Sequence, residues 1–405
     1  MISGSRDDPA ESECRFVDEV VKLLADLVSI PSVNPMGEDV SGSEYLETAT
    51  TAYLERWFSD RGIETVRDRI APGRDNLIVR FDSTRSQSTI LFDAHQDTVP
   101  VNGMTIDPFT PRIEQGVMYG RGSCDVKGGL AAMAVAVARL HRERPSGAAS
   151  VVLACTVDEE FTHLGSSRLA ENQGLFDLAI VAEPTRLNVV HSHKGAIRWK
   201  IHAHGVACHS STPRLGSNAI YLMAKVVAAL RDHADAIERT IVDPILGPAT
   251  LSVGRIEGGR SVNVVPDRCS IEIDRRAIPG ENPDRCVELA RSAIREALTA
   301  EEFQALSFDP PWISLPPLAP VGTDRAAAIL TKTIERVTGR TPSVEGAPYG
   351  TDAGPLSAAG TPCLVFGPGD IARAHTKNES IELDQVRAAS EIYYQFICES
   401  NRLID

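Results

Sequence analysis

Five side chains of the types that bind metal ions follow predicted strand ends or loops along this chain. They are two imidazoles and three carboxylates: His95, Asp125, Glu160, Glu183 and His375. Borderline divalent ions such as zinc take about four ligands of this kind each. Five side chains therefore serve two ions only if a carboxylate and a water bridge them, with the ions roughly 3.5–4 Å apart. The pattern predicts a two-metal hydrolytic centre.

Two further carboxylates lie next to these ligands in the sequence. Asp97 is two residues from His95, on the same face of an extended segment, where a carboxylate can hold the second nitrogen of a metal-ligating imidazole. Glu159 precedes Glu160 and is not needed as a ligand. It is therefore the candidate general base for the attacking water. For the segment around His95 taken alone, a solvated polar strand end is an alternative interpretation.

The predicted secondary structure brings these residues to one edge of a sheet. Apolar runs predict strands at residues 89–93, 150–157 and 178–181, with an Ala-rich helix at 126–142. This alternation predicts an α/β fold in which a mostly parallel mixed sheet is flanked by helices. In open α/β sheets the chemistry lies outside the carboxyl ends of the strands.

A different pattern occupies residues 194–308. It contains strands and helices in the order βαββαβ, predicted at residues 196–204, 217–234, 250–256, 269–275, 283–300 and 305–308. This is the ferredoxin-like order. The 405-residue length favours two domains. We therefore predict a catalytic domain of residues 1–193 plus 309–405, with an inserted α+β domain of residues 194–308.

Composition excludes several classes of protein. The formal charge of -14, from 41 basic and 55 acidic residues, disfavours nucleic acid as a partner. No apolar run approaches the roughly 18 residues of a membrane span. The polar, acidic N-terminus lacks a secretory apolar region, and eight cysteines without a CxxC pair suit a reducing compartment. A cytoplasmic location is expected.

Several short motifs occur in an order that resembles a known family. They are HQDTVP from His95, GRGSCDVKGG around Asp125, DEE at 158–160, Glu183-Pro184, and GPGD at 367–370 followed by His375. From about residue 20 to 398, the chain resembles the co-catalytic zinc amidohydrolases, which include acetylornithine deacetylase, succinyl-diaminopimelate desuccinylase, aminoacylase and glutamate carboxypeptidase. The family often has Gly before its first His, where this chain has Ala94.

This resemblance implies two Zn²⁺ ions, with Co²⁺ or Mn²⁺ as substitutes. It implies that His95 and Glu183 bind one ion and that Glu160 and His375 bind the other. It also implies that Asp125 bridges the two ions. It also implies that Asp97 orients the first imidazole and that Glu159 is the base.

The resemblance assigns roles to residues outside the metal centre as well. His209 would reach the partner subunit's active site and help to stabilise the oxyanion, which implies a homodimer formed through an inserted dimerisation or lid domain. Asn263 and Arg276 match substrate-binding positions, and Thr351 lies in a pocket-lining loop. Whether Arg275 or Arg276 points towards substrate stays open. From the residues alone, hinge closure within one chain is as suitable as pairing of two chains.

The predicted activity is the zinc-dependent removal of an N-acyl group from a small N-acyl amino acid, as by acetylornithine deacetylase. Desuccinylase, aminoacylase and dipeptidase or carboxypeptidase activities stay open because the sequence does not identify the residues that select acyl size. A catalytically silent binding protein is disfavoured because every ligand and the base are present. A phosphate-binding protein is disfavoured because the Gly-rich turns lack the strand–GxGxxG–helix context. Three isolated histidines are predicted to lie at the surface: His141, His163 and His233.

Overall fold

A computed structural model describes residues 9–172 and 174–401 of the chain, with side chains from residue 19 onward. The helices, α1 to α10, are Pro9–Val28, Thr48–Ser59, Gly128–Glu143, Leu164–Ala170, Ala219–Thr240, Pro283–Ala297, Ala300–Gln304, Asp324–Thr338, Ala353–Ala358 and Leu383–Glu399. The strands, β1 to β18, are Thr65–Ala71, Arg74–Phe81, Thr89–His95, Arg112–Glu114, Val117–Tyr119, Ser150–Thr156, Leu178–Val181, Val189–His193, Gly195–His204, Val242–Asp243, Gly247–Pro248, Thr250–Gly258, Arg268–Ala277, Leu306–Phe308, Ile313–Leu315, Val344–Ala347, Cys363–Val365 and Ser380–Glu382.

The main sheet has eight strands in the order β1-β2-β6-β3-β7-β17-β8-β16. Its four central strands, β6, β3, β7 and β17, are parallel to their neighbours in that group. Strand β2 joins them antiparallel on one side, and β8 joins them antiparallel on the other. The predicted mixed sheet flanked by helices is therefore confirmed. Because the four parallel strands point the same way, their carboxyl ends meet at one edge of the sheet.

The central strands are buried on both faces because helices cover them. Residues 90–95 of β3 and 151–156 of β6 are all buried. Helix α3 packs against β3, β6, α1 and α10, and its Ala-rich sequence leaves room for this close packing. At Gly129, for example, an added Cβ would come within 2.8 Å of the Ala182 Cβ. Small residues therefore let the beginning of α3 pack closely against the residue that follows β7.

Residues 123–127, immediately before α3, form a turn that overlaps the predicted start of the helix. Gly122 has a left-handed φ of 78°, and the backbone of Asp125 is extended, with φ -120° and ψ 96°. Helix α3 consequently begins at Gly128, whereas the sequence predicts its start at Val126. Because the backbone is extended at Asp125, this side chain does not follow the helical spacing of α3. It can therefore point away from the helix.

Contacts divide the chain into two compact units, Met1–His191 with Pro320–Glu345 and Thr351–Asp405, and Ser192–Ala319 with Gly346–Gly350. The second unit has an antiparallel sheet in the order β12-β13-β9-β14, with β15 also paired to β9. Helices α5 and α6 pack on it. Alternate residues of β9, including Trp199 and Ile201, are buried in a separate core. The longer elements of this unit follow one another as β9, α5, β12, β13 and α6, and the short elements β10, β11, α7, β14 and β15 accompany them.

Helix ends in the second unit follow ordinary capping chemistry. Asn218 is the N-cap of α5, and its side chain accepts hydrogen bonds from the backbone N–H groups of Ile220 and Tyr221. Asn282 begins α6 in the same way, with Pro283 in the first turn. Among the helices that the structure describes, none combines the length and the apolar character that crossing a membrane requires.

Candidate active site

The predicted ligands lie together at the carboxyl edge of the parallel strands. His95 is the last residue of β3, Glu160 follows β6, Glu183 follows β7, and His375 follows β17. Asp125 reaches the same place from the turn before α3. All of these residues belong to the first unit. Five chain segments, separated in the sequence, therefore supply one cluster of donors.

Within this cluster Asp125 belongs to two groups of donor atoms. One group consists of His95, Asp125 and Glu183, and the other of Asp125, Glu160 and His375; the atoms of each lie within 4.8 Å of one another. Asp125 Oδ1 is 3.2 Å from His95 Nε2, and its Oδ2 is 3.2 Å from His375 Nε2. Each carboxylate oxygen thus faces a different imidazole, as a bridging ligand requires.

The orientation of His95 is set by the residue two positions further on. Its Nδ1 lies 3.0 Å from the backbone carbonyl of Asp97 and 3.6 Å from the Asp97 Oδ1. This leaves Nε2 facing Asp125. The Asp97 carboxylate accepts the backbone N–H groups of Glu159 and Glu160, each at 3.2 Å. Asp97 therefore contacts the first imidazole and the loop that carries the candidate base.

Burial and neighbouring carboxylates raise the pKa of some acids in the cluster, whereas imidazole hydrogen bonds lower the pKa of Asp125. Burial, followed by the charge of Glu183, raises the pKa of Glu159 well above its usual range. Burial and then Asp125 do the same to the pKa of Glu183. For Asp125 itself burial is outweighed by hydrogen bonds from His375 and His95, which lower its pKa. For His375 burial is outweighed by its carboxylate neighbours, which raise its pKa to about 11.

These shifts describe a pocket in which carboxylates outnumber imidazoles. Two divalent cations would neutralise that excess, and imidazole nitrogens with carboxylate oxygens are the donors that zinc-like ions accept. The residues present therefore fit a pair of metal ions with Asp125 between them.

Two supporting residues were not predicted from the sequence. Glu379 is fully buried, and its carboxylate contacts Arg121 at 2.7 Å and the backbone N–H groups of Gly122, Cys124 and Asp125 at 2.9–3.0 Å. Asn34 donates to Asp97 Oδ2 at 2.8 Å. Their side-chain types are common and their partners are distant in sequence, so no local pattern marks them.

The predicted substrate residues divide between the units. Thr351 is buried in the first unit, where its Oγ accepts the backbone N–H of Ala353 at 3.1 Å. His209 is exposed in the second unit, with Nδ1 2.7 Å from the Ser211 Oγ. The backbone carbonyl of Asn263 accepts the Ser210 N–H at 3.0 Å, so the two predicted loops are neighbours.

The two adjacent arginines of β13 have different surroundings. Arg275 is 2 % exposed and pairs with Glu281 at 2.5 Å. The Arg276 side chain is 29% exposed and donates to Asp274 at 2.7 Å. Successive residues of a strand point to opposite faces, so one of the two faces the core of the second unit and the other does not.

One sequence prediction about the histidines is wrong. His163 was expected at the surface but is 8 % exposed. Its backbone adopts a left-handed φ of 57°, and its ring lies against Asp352, which arrives from a distant part of the chain. The imidazole is buried because that carboxylate satisfies its Nδ1.

Comparison with known proteins identifies the family of this chain. Residues 91–399 match peptidase family M20/M25/M40. Acetylornithine deacetylase of Myxococcus xanthus is 30% identical over 347 residues, covering 83% of this chain and 84% of that protein. An M20 family metallo-carboxypeptidase from Sulfolobus solfataricus superposes with a TM-score of 0.77 at 18% identity, covering 95% of this chain and 99% of the other.

A dinuclear metal-binding peptidase of the M20 family from Bacillus subtilis superposes with a TM-score of 0.70 at 15% identity, covering 96% of this chain and 100% of the other. The resemblance drawn from the sequence motifs is confirmed. This chain belongs to peptidase family M20/M25/M40, the metal-binding hydrolases of amide and peptide bonds.

Proposed function

We propose that this protein is a zinc-dependent amide hydrolase that removes the acyl group from an N-acyl amino acid, in the manner of acetylornithine deacetylase. The observation that carries the proposal is the position of Asp125, whose two oxygens each lie 3.2 Å from a different imidazole, with Glu159 beside the same cluster. The relative that is 30% identical is named for this activity.

His95 and Glu183 would hold one ion, Glu160 and His375 the other, and Asp125 both. When bound, such ions polarise the amide carbonyl and lower the pKa of the attacking water. Zinc is the metal we propose, because imidazole and carboxylate donors suit it; Co²⁺ and Mn²⁺ are the substitutes to test.

Glu159 is the proposed general base. Its Oε2 lies 3.9 Å from His95 Nε2, close to the donors but outside both ligand groups. A base is most effective when its pKa lies near the working pH, and burial followed by the charge of Glu183 raises the Glu159 pKa in that direction. We propose that it takes the proton of the attacking water and passes it to the leaving nitrogen. Asp97 would position both His95 and the Glu159 loop.

The substrate residues proposed are His209, Asn263, Arg276 and Thr351. The domains proposed are a catalytic domain of residues 1–193 plus 309–405 and an inserted domain of residues 194–308. Arg276 is the better candidate of the arginine pair for a substrate carboxylate, because its side chain is partly exposed, whereas that of Arg275 is buried against Glu281. The guanidinium fork matches a carboxylate in geometry.

We further propose a cytoplasmic homodimer in which His209 completes the site of the partner chain. Supporting this, β12 is an edge strand of its sheet, and such edges pair readily with a second chain. The nearby side chains of Val262 and Tyr221 are exposed apolar groups. The described cysteines, from Cys124 to Cys398, are free thiols, which suits a reducing compartment.

The test is a substrate panel on the zinc-reconstituted, full-length protein. It contains N-acetylornithine, N-succinyl-diaminopimelate, N-acetylmethionine and simple dipeptides, and free amine is quantified. Preferred turnover of N-acetylornithine is expected. Preference for the succinyl substrate or for dipeptides would assign another activity of the family, and no turnover of any amide would overturn the proposal.

A further inference from the structure

A buried polar cluster lies against Glu159 in addition to the proposed ligands. The two oxygens of this carboxylate face different imidazoles: Oε2 is 3.9 Å from His95 Nε2, whereas Oε1 is 3.7 Å from His163 Nδ1. His163 is not one of the residues that the sequence motifs mark, and nothing in the proposed chemistry so far uses it. Its position beside the base calls for a physical explanation.

His163 is held in one orientation by Asp352. Its Nδ1 is 2.9 Å from the Asp352 Oδ1, and because a carboxylate only accepts, the hydrogen of the ring must reside on Nδ1. The Ser166 hydroxyl donates to the same Oδ1 at 2.6 Å. The imidazole N–H nearest to Glu159 is therefore fixed in place by a residue from the start of α9.

The Asp352 carboxylate is in turn anchored to the centre of the sheet. The Thr156 Oγ, at the end of β6, lies 3.1 Å from the Asp352 Oδ2 and 2.6 Å from the Asp93 Oδ1. Asp93 and Asp352 are both essentially inaccessible to solvent. A continuous buried chain of polar side chains thus connects β3 and β6 to His163.

The same atoms do not make a convincing third metal site, although Glu159, His163 and Asp352 all have donors within 4.8 Å. Oδ1 of Asp352 already accepts hydrogen bonds from His163 and Ser166, and its Oδ2 faces the Thr156 hydroxyl at 3.1 Å. A carboxylate oxygen that accepts two hydrogen bonds is suited to orient the two donors, His163 and Ser166. The geometry therefore favours a hydrogen-bonded pair.

We infer that His163, held by Asp352, is a positioning residue for Glu159: its Nδ1–H attracts Oε1 and so keeps Oε2 turned towards the proposed ligands. The inference rests on the proposed role of Glu159 as the base. At 3.7 Å the contact is a charge–dipole attraction longer than a hydrogen bond. Catalytic hydrogen bonds are often long before substrate binds and shorten in the complex.

The first experiment compares His163→Ala, His163→Asn and the control His141→Ala in zinc-reconstituted protein. An Asn side chain can present an N–H close to the position of Nδ1, so it should restore what Ala removes. His141 is half-buried, bonds only the Arg80 carbonyl at 2.8 Å in the described structure, and lies outside the site. With N-acetylornithine, or the best substrate of the panel, we expect kcat of His163→Ala to fall about 10- to 100-fold, as for a lost contact to a charged group.

Three readouts separate positioning from a merely structural role. KM and the zinc content of His163→Ala should equal those of the wild type, and His163→Asn should recover most of the lost kcat. In a crystal structure of zinc-loaded His163→Ala, the Glu159 carboxylate should adopt a different orientation, which is a test that requires no turnover. An unmoved Glu159 in that crystal, or a wild-type kcat, would overturn the inference.

A double-mutant cycle distinguishes failure of this inference from failure of the proposed function. If His163 acts through Glu159, then adding His163→Ala to Glu159→Gln should cause no further loss of activity. A further loss would mean that His163 acts independently. Full activity of Glu159→Gln alone would refute the base role itself. An inactive Glu159→Gln together with a fully active His163→Ala would refute only the positioning role.

Discussion

The carboxylate of Glu379 holds the backbone of Asp125 in place, its Oε1 accepting the Asp125 N–H at 3.0 Å. The same oxygen accepts the Cys124 N–H at 2.9 Å, and the other oxygen pairs with Arg121. Asp125, the residue proposed to bridge two metal ions, therefore lies in a turn whose backbone is held by the buried carboxylate of Glu379. Such a turn keeps the two Asp125 oxygens aimed at two different imidazoles before any ion arrives.

Removal of Glu379 should therefore destabilise the fold. Glu379→Ala leaves Arg121 buried without its partner, and breaking a buried pair in this way costs about 3–5 kcal/mol. Urea unfolding of the metal-free variant should reveal this loss. Asp384→Ala is the matched control, because its pair with Arg387 is almost fully exposed on the Asp384 side and should contribute little. Equal losses in the two variants would contradict the buried-pair argument.

Metal content should depend more on Asp125 than on His95. Wild-type protein reconstituted with zinc should bind about two ions per chain. Asp125→Ala should lose both, because its two oxygens serve both donor groups, whereas His95→Ala removes a donor from only one. Atomic emission after gel filtration measures the content. Equal retention of zinc by the two variants would show that Asp125 does not bridge.

Glu159→Gln should abolish most of the activity without releasing metal. The amide keeps the shape of the side chain but cannot accept a proton, so kcat should fall by roughly 10²–10⁴-fold, the usual contribution of a general base. Zinc content measured in parallel should equal that of the wild type. Activity close to wild type would transfer the base role elsewhere, with Asp97 as the next candidate.

The free energy of unfolding should fall as the pH rises, because Glu47 loses its proton in the folded protein. Burial, followed by the charge of Asp97, raises the pKa of Glu47 to about 8 from 4.5, although Arg74 opposes the shift. The folded chain thus binds this proton more tightly than the unfolded chain. The resulting stability is complete below pH 4.5 and is lost as the pH rises to about 8.

Glu47→Gln cannot titrate and supplies the comparison. Urea unfolding of metal-free wild type and variant, from about pH 5 to about pH 9, should show the wild type losing stability relative to the variant, at no more than about 1.4 kcal/mol per pH unit. A difference between the two proteins that does not vary with pH would show that Glu47 keeps an ordinary pKa in the folded protein.

The proposed dimer predicts complementation between inactive chains. His209→Ala should lower kcat by about 10²–10³-fold, as loss of an oxyanion donor does. Mixing it with Glu159→Gln chains should regenerate activity, because each heterodimer would have one site with both defects and one with neither. No recovery, despite exchange of subunits demonstrated by mass spectrometry, would mean that His209 does not act on the partner chain.

The sequence by itself determined the sheet edge and its chemistry. Apolar runs ending in His95, in Glu159 and Glu160, and in Glu183 predict parallel strands whose carboxyl ends meet, and the structure has those strands at residues 89–95, 150–156 and 178–181. Such predictions succeed because strand periodicity and the clustering of polar residues at strand ends are local properties.

Only the tertiary structure decided what surrounds those residues. Glu379 lies 254 positions from Asp125, and Asp352 lies 189 positions from His163. Glu379 belongs to no sequence motif, and the pocket-lining loop that holds Thr351 and Asp352 does not indicate His163 as a partner. Considered alone, His163 resembles a surface histidine. Whether a buried polar group is tolerated depends on which partner the fold brings to it, and that partner is known only after distant segments have packed.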